Sequence, residues 1–322
     1  MKGAWFSAVF ISCWIPLADC LAAQKAEAMR LLEGIGESAR ELTYDGVFIY
    51  RQGNDIETVR IIHRADERGE RERLISLSGA PREVVRTDLH VTCVNSSRRS
   101  VFVEALPLQS PLSGVSDLAR QDIGDHYRFS VGPGERVAGR KTTRLVISPR
   151  DAYRYGYALW IDHESGLLLR SELMGKDGEV LEQMLYTQIR FADDIPDHLL
   201  DSPLLTDGYT VHEPVGDGAA RPGIRREPQW RIRWVPEGFR SHQVIATEQP
   251  EGWNEHHLYS DGIATFSVYV EPLAQGTEPY EGLSTMGALS AFGRVTGDNQ
   301  LVVVGEVPSA TVARVGDSVS AP

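Results

Sequence analysis

The side chains in this sequence that could do chemistry are scattered. Of nine histidines only His256 and His257 are adjacent. Neighbours in a strand point to opposite faces, so that pair cannot readily share a metal ion. Asp162-His163-Glu164 runs into Ser165-Gly166 and reads as the polar tip of a hairpin. Carboxylate pairs such as Asp193-Asp194 are expected by chance in a chain of formal net charge -12. There is no Gly-x-Ser-x-Gly elbow, Walker loop, His-Glu-x-x-His or Cys-x-x-Cys. Gly34-Ile35-Gly36-Glu37-Ser38-Ala39 fits a loose dinucleotide fingerprint, but helical and not strand periodicity precedes it. Cys93 follows two cysteines of the leader and reads as a buried thiol. No catalytic residue, metal or cofactor is expected, although an acid–base pair assembled only in space stays open.

The elements that would position these side chains are mostly strands. Gln24 to Leu42 is the exception, with Ala28, Leu31, Leu32, Ile35 and Ala39 at helical spacing. From Gly46 the period becomes two, in short runs separated by Gly53-Asn54, Gly69 and Gly79-Ala80-Pro81. Ala105 to Asp125 is broken by Pro107, Pro111 and Gly114, with room for one short helix. Strand runs resume at Tyr127 to Val131, Arg144 to Ser148, Tyr155 to Ile161, Leu167 to Leu173 and Val180 to Phe191. Lys176-Asp177-Gly178 between the last two is a strong hairpin signal. Consecutive short strands predict an antiparallel meander.

Residues 24–205 form the expected large domain, and 206–228, rich in Pro, Gly, Asp and Arg, the linker. Residues 229–322 form the second domain, with strands at Trp230 to Trp234, His242 to Ala246, Gly262 to Val270 and Leu301 to Val307, and a helix at Ser309 to Val315. Residues 1–23 read as a cleaved signal peptide: Lys2, a short apolar run, then Leu21-Ala22-Ala23. The acidic balance speaks against nucleic acid as a partner and for basic protein segments.

Strand parity places Phe129, Leu145, Ile147, Tyr157, Leu159 and Leu185 on one apolar, aromatic-rich face. Such a face is either a covered core or, on an unclosed sheet with few helices, the lining of a lipid-sized cavity.

Longer runs carry a resemblance. Glu72-Arg73-Leu74, Leu77 to Arg86, Arg136 to Arg140, Pro149-Arg150-Asp151, Arg154 to Asp162 and Leu181-Glu182-Gln183 resemble the MucB/RseB family. So do Trp234 to Phe239, Tyr259 to Val268 and Val304 to Pro308. The resemblance implies an α+β protein. Its large domain would be a LolA/LolB-like unclosed antiparallel β-barrel covered by helices, and its C-terminal domain a smaller α/β unit. It also implies a soluble periplasmic regulator. Such a protein binds the periplasmic domain of a single-pass anti-sigma factor (MucA/RseA-like), shields it from site-one proteolysis, and is released by lipid or lipopolysaccharide. The resemblance implies the second domain as the main contact; its density of aromatics points to Trp234, Phe239, Tyr259, Asp261 and Phe266, with Trp234 and Phe266 expected in the core and Tyr259 and Asp261 exposed. A lipid or lipoprotein carrier of LolA type is the alternative, and a homodimer stays open.

Overall fold

The structure is a computed structural model that describes residues 17–87, 90–96, 100–104, 123–204, 209–212, 224–225, 227–249, 252–273 and 276–321. The expected leader is described only from Leu17, where the chain is already helical. The short helix expected within Ala105 to Asp125 lies, up to residue 122, outside the described residues.

Helix α1 (Leu17–Glu41) precedes a meander of β1 (Tyr44–Gln52), β2 (Asp55–Asp66), β3 (Gly69–Ser76), β4 (Arg82–Thr87), β5 (Val91–Asn95) and β6 (Ser100–Glu104). The turn α2 (Ile123–His126) leads into β7 (Tyr127–Pro133), β8 (Thr142–Pro149), β9 (Gly156–Asp162), β10 (Leu168–Met174) and β11 (Val180–Phe191). Then come α3 (Asp197–Leu200) and β12 (Thr210–His212). These twelve strands make one sheet in the order β12-β6-β5-β4-β3-β2-β1-β11-β10-β9-β8-β7. The two meanders are joined in the middle by antiparallel pairing of β1 with β11, and the outer strands never meet. The sheet is therefore the expected unclosed, antiparallel one, except that β12 adds parallel to β6.

Local chemistry explains the turns. Gly53, at φ +59°, takes the first position of a two-residue hairpin between β1 and β2, a place that requires positive φ. Gly178, at φ +82°, closes the predicted Lys176-Asp177-Gly178 turn between β10 and β11. Ala28, Leu32 and Ile35 lie on one stripe of α1 and bury against Leu145, Ile147, Leu159 and Ile161. Each of these Leu and Ile side chains contributes about 1.5–3 kcal/mol by leaving water.

The second domain is a seven-stranded sheet in the order β13-β15-β16-β17-β20-β19-β18. Its strands are β13 (Ile224–Arg225), β15 (Arg240–Gln249), β16 (Gly252–Ser260), β17 (Thr265–Pro272), β18 (Gly282–Met286), β19 (Leu289–Thr296) and β20 (Asn299–Gly305). The ribbon β14 (Arg231–Ile232) and β21 (Val319–Ser320) flanks it. Helix α4 (Ser309–Ser318) closes the core, with Val312 and Val315 against Phe266, Val268, Leu301 and Val303. Of the expected linker, Thr210–His212 pairs with the first sheet and Ile224–Arg225 with the second. No described helix is long and apolar enough to cross a membrane.

Candidate functional site: an inner-face cavity and the seam between the domains

The registers fix which side chains share the inner face. Phe129 pairs with Ile147, Val131 with Leu145, Leu145 with Leu159 and Ile147 with Tyr157. Tyr157 then pairs with Leu173, and Leu173 with Glu182. Beyond β11 the same face carries Phe48, Tyr50, Val59 and Leu74. One row thus crosses both meanders. Five of the six predicted lipid-face residues stand on it, Leu185 not among them.

Leu185 lies on the opposite face, paired with Ile49 and Arg170. A register shift at Val47/Phe48 skips one residue of β11. Side-chain parity therefore reverses near Thr187, and Ile189 but not Leu185 shares the inner side. The inner positions of β11 are Met184 and Tyr186.

α1 spans only part of this face. Phe129 and Leu145 are packed in the core beneath it. Past its reach a cavity of about 1560 Å³ opens, lined by Ile147, Tyr157, Leu159, Leu173, Met184 and Phe48. The far wall is polar, with Glu57, Glu70, Glu72, Arg82 and Arg86. Arg86 pairs with Glu72 at 2.8 Å and Arg82 with Glu57 at 2.7 Å. The cavity thus sets an apolar floor beside charged groups that are already paired with one another. Burial pushes the Tyr157 phenol up, and the nearby Glu306, Asp261 and Glu182 add to the shift. The phenol therefore faces the cavity as a neutral hydroxyl.

The second domain supplies the rest of the rim. Its main anchor is Asp261. Asp261 Oδ2 accepts from Arg154 Nη1 at 2.6 Å and from Tyr127 Oη at 2.9 Å. Its Oδ1 accepts the Ile263 and Ala264 N–H groups. The Arg154 guanidinium also donates to the Glu237 carbonyl and Asp151. It sits 5.4 Å from the Tyr127 ring centroid and 5.1 Å from that of Phe239. Nearby, Thr311 Oγ1 donates to the Tyr153 carbonyl, and Tyr153 packs edge-on to Trp234 at 5.0 Å. Gly238, at φ +89°, lies so close to the His126 ring that any side chain there would collide with it. At the other end of the rim, Glu182 accepts the Ala288 N–H.

The five predicted partner-binding residues are thus gathered, though not on an open surface. Phe239 and Phe266 are core, 5% and 1% exposed, with Tyr259 stacked on Phe266 at 5.3 Å. Trp234 sits in the seam beneath Arg314. The side chain of Asp261 has no solvent exposure, whereas the sequence had suggested an exposed one. The reason is long-range: its ion-pair partner comes from the other domain. Sequence reasoning missed Arg154 and Tyr127 as its partners. The only signal was that Arg154 and Asp261 both fall in family-like runs. Among the described residues no group of three His, Cys, Asp or Glu could hold a metal ion.

An unclosed sheet with a large inner cavity, and a second domain docked across its rim, defines a two-domain binding protein. A family model for the MucB/RseB N-terminal domain matches residues 27–204, and one for the MucB/RseB C-terminal domain matches residues 225–320. The chain belongs to the MucB/RseB family. It is 30% identical over 305 residues to the sigma factor AlgU regulatory protein MucB of Pseudomonas aeruginosa, covering 92% of each chain. It is 24% identical over 322 residues to the sigma-E factor regulatory protein RseB of Escherichia coli K12, covering 99% of this chain and 98% of that one. Among solved structures, the Pseudomonas aeruginosa MucA/MucB complex matches with a TM-score of 0.69 at 27% identity, over 92% of this chain and 99% of that one.

Proposed function

We propose that this chain is a periplasmic regulator. In this reading it binds the periplasmic domain of a single-pass anti-sigma factor, shields that domain from site-one proteolysis, and lets go when a lipid or lipopolysaccharide fills its cavity. The observation that carries this is the end-to-end match to MucB, whose structure is known in complex with MucA(peri), with a TM-score of 0.68 over 91% of this chain. The cavity supports the lipid step, because Ile147, Tyr157 and Leu159 offer acyl chains an apolar floor while Arg82 and Arg86 stand near a headgroup. Phe129 and Leu145 shape that floor from beneath α1. The seam supports coupling. A ligand that prefers one arrangement of the domains shifts the partner equilibrium by its differential affinity and no more. Trp234, Phe239, Tyr259, Asp261 and Phe266 would then act on the partner by setting how the second domain sits.

The test uses the chain from Gln24 onward. It should retain a single-pass membrane protein from inner membranes and slow cleavage of that protein's periplasmic domain. An acyl amphiphile should reverse both effects, and Tyr157→Asp should abolish fluorescent acyl-probe binding with the far-UV circular dichroism unchanged. Recovery of lipoproteins in place of a membrane protein would favour the LolA-type carrier, which the same cavity would also suit. Protection that persists at saturating amphiphile would remove the release step.

A further inference from the structure

The sheet of the second domain has an open edge. β18 is its last strand, and among the described residues nothing pairs on its far side. All five of its residues, Gly282 to Met286, are exposed. Leu283 is 52% exposed, Met286 64%, and Tyr280 just ahead of them 36%. Three of the eight large hydrophobics exposed among the described residues thus fall within seven consecutive positions. The hairpin decides which backbone groups are spare. Gly287, at φ +59°, and Ala288 make a two-residue turn, with Met286 paired to Leu289 across it. The pair that flanks such a turn exchanges hydrogen bonds, and bonded and non-bonded pairs alternate from there. Met286, Ser284 and Gly282 therefore bond to β19, while Leu283 and Thr285 point their N–H and C=O groups outward.

Unpaired groups in such a row are a template for another strand, and natural edges are blunted by charge, proline, a bulge or short length. The β18 ladder has no register shift, and Gly-Leu-Ser-Thr-Met has no charge and no proline. The opposite edge, β13, spans only two described residues. The spare groups repeat at the period of an extended main chain, so a peptide is what this edge recognises. Its position says which one. Leu283 pairs with Phe292, which lies against Gly316 of α4, and Met286 pairs with Leu289, which lines the cavity. The turn after Met286 meets the large domain. Gly287 lies so close to Gln52 that a side chain there would collide with it, and the Ala288 N–H donates to Glu182 Oε1 at 3.3 Å. β18 therefore runs out to the seam at the cavity rim, where partner and amphiphile would have to be coupled. Glu278 and Glu281, both exposed, precede the strand and favour a basic residue on the incoming peptide. They disfavour a second copy of this chain, which carries a formal net charge of -12 and would bring its own Glu278 and Glu281 to the same edge.

We propose that β18 takes an extended segment of the anti-sigma factor's periplasmic domain as an added strand, apolar at alternate positions and flanked by a basic residue. This rests on the regulator reading above and adds to it the place where the partner is held. Main-chain hydrogen bonds to Leu283 and Thr285 supply affinity, and the partner side chains beside Leu283 and Met286 supply selection.

The probe is the periplasmic domain of the single-pass protein that the chain from Gln24 onward retains from inner membranes. Backbone hydrogen exchange is read residue by residue in that chain, alone and with the probe. Alone, Leu283 and Thr285 should exchange faster than Ser284 and Met286, and at saturating probe both should slow by at least about ten-fold. Thr285→Pro removes one outward N–H and leaves the bonds to β19, a substitution that an edge strand tolerates. It should weaken probe binding roughly ten-fold, about the contribution of one hydrogen bond, with the far-UV circular dichroism unchanged. Leu283 and Thr285 amides that ignore a bound probe overturn the proposal and leave the regulator reading standing. A parent chain that retains no membrane protein overturns both. Protection of the two amides in the chain alone, lost on dilution, assigns the edge to a second copy and also overturns the proposal. Should Thr285→Pro fail to fold, the exchange pattern of the parent decides by itself.

Discussion

The two sheets solve the same problem differently. In the second domain, the middle strands β17 and β20 bury one face. Val268, Leu301 and Val303 have no solvent exposure beneath α4. In the large domain, among the described residues, α1 is the one long helix over twelve strands, and its buried stripe packs on β7 to β10. Among the described residues the rest of the inner face lines the cavity, whose other side comes from second-domain residues such as Leu258, Ile263 and Leu289. The contrast lies in cover: among the described residues one long helix lies over part of a twelve-stranded sheet, while in the second domain α4 packs on β19 and β20 of only seven strands.

The largest expected effect tests whether the two sheets behave as separate bodies at all. Asp261→Ala strands the Arg154 guanidinium in the seam and frees the donors of Tyr127, Ile263 and Ala264. It should cost about 3–5 kcal/mol in urea unfolding. A loss below about 1 kcal/mol would mean that the domains fold and move independently across the 206–228 interval. A second pair of variants compares filled with unfilled. Leu301→Ala, in the sealed core, should cost about 3 kcal/mol, because the hole it leaves cannot collapse. Met184→Ala already borders empty space and should cost about 1 kcal/mol. Equal losses would show that the cavity is closed in solution.

The smallest expected effect is a pH dependence confined to the second domain. Burial raises the Glu255 carboxyl, but His257, the Gln229 N–H, Trp253 Nε1 and the Trp230 N–H together bring it below its ordinary 4.5. A depressed carboxyl adds stability that is present above its unfolded value and lost as pH falls through its folded one. Unfolding monitored below about pH 4.5 should therefore steepen in the parent and flatten in Glu255→Gln. An unchanged acid limb would remove Glu255 from the account of this sheet.

The sequence made visible whatever depends on near neighbours. α1, the Asp177-Gly178 hairpin, helix α4 and the shared face of Phe129, Leu145, Ile147, Tyr157 and Leu159 all follow from local period and turn chemistry. Strands β16, β18 and β19 did not. β16 is crowded with Asn254, Glu255, His256 and His257, while β18 and β19 are rich in Ser, Thr and Gly, so no apolar alternation marks them. Leu185 was misplaced because a bulge is a property of two strands and not of one. Asp261 was misjudged because its partner, Arg154, is 107 residues away. Nothing in a single sequence measures a contact of that span.

The join between β1 and β11 has a further consequence, for the order of events in folding. Every other antiparallel pairing of the large sheet is a hairpin or short loop between consecutive strands, made with little loss of chain entropy. The β1–β11 ladder brings Tyr44 against Phe191, so the sheet's middle must wait until the whole second meander has been synthesised and released. The two halves are then prefabricated pieces, and their union is the slow, non-local step. Pulse-labelled hydrogen exchange should find the β2–β3 and β8–β9 amides protected first and those shared by β1 and β11 last.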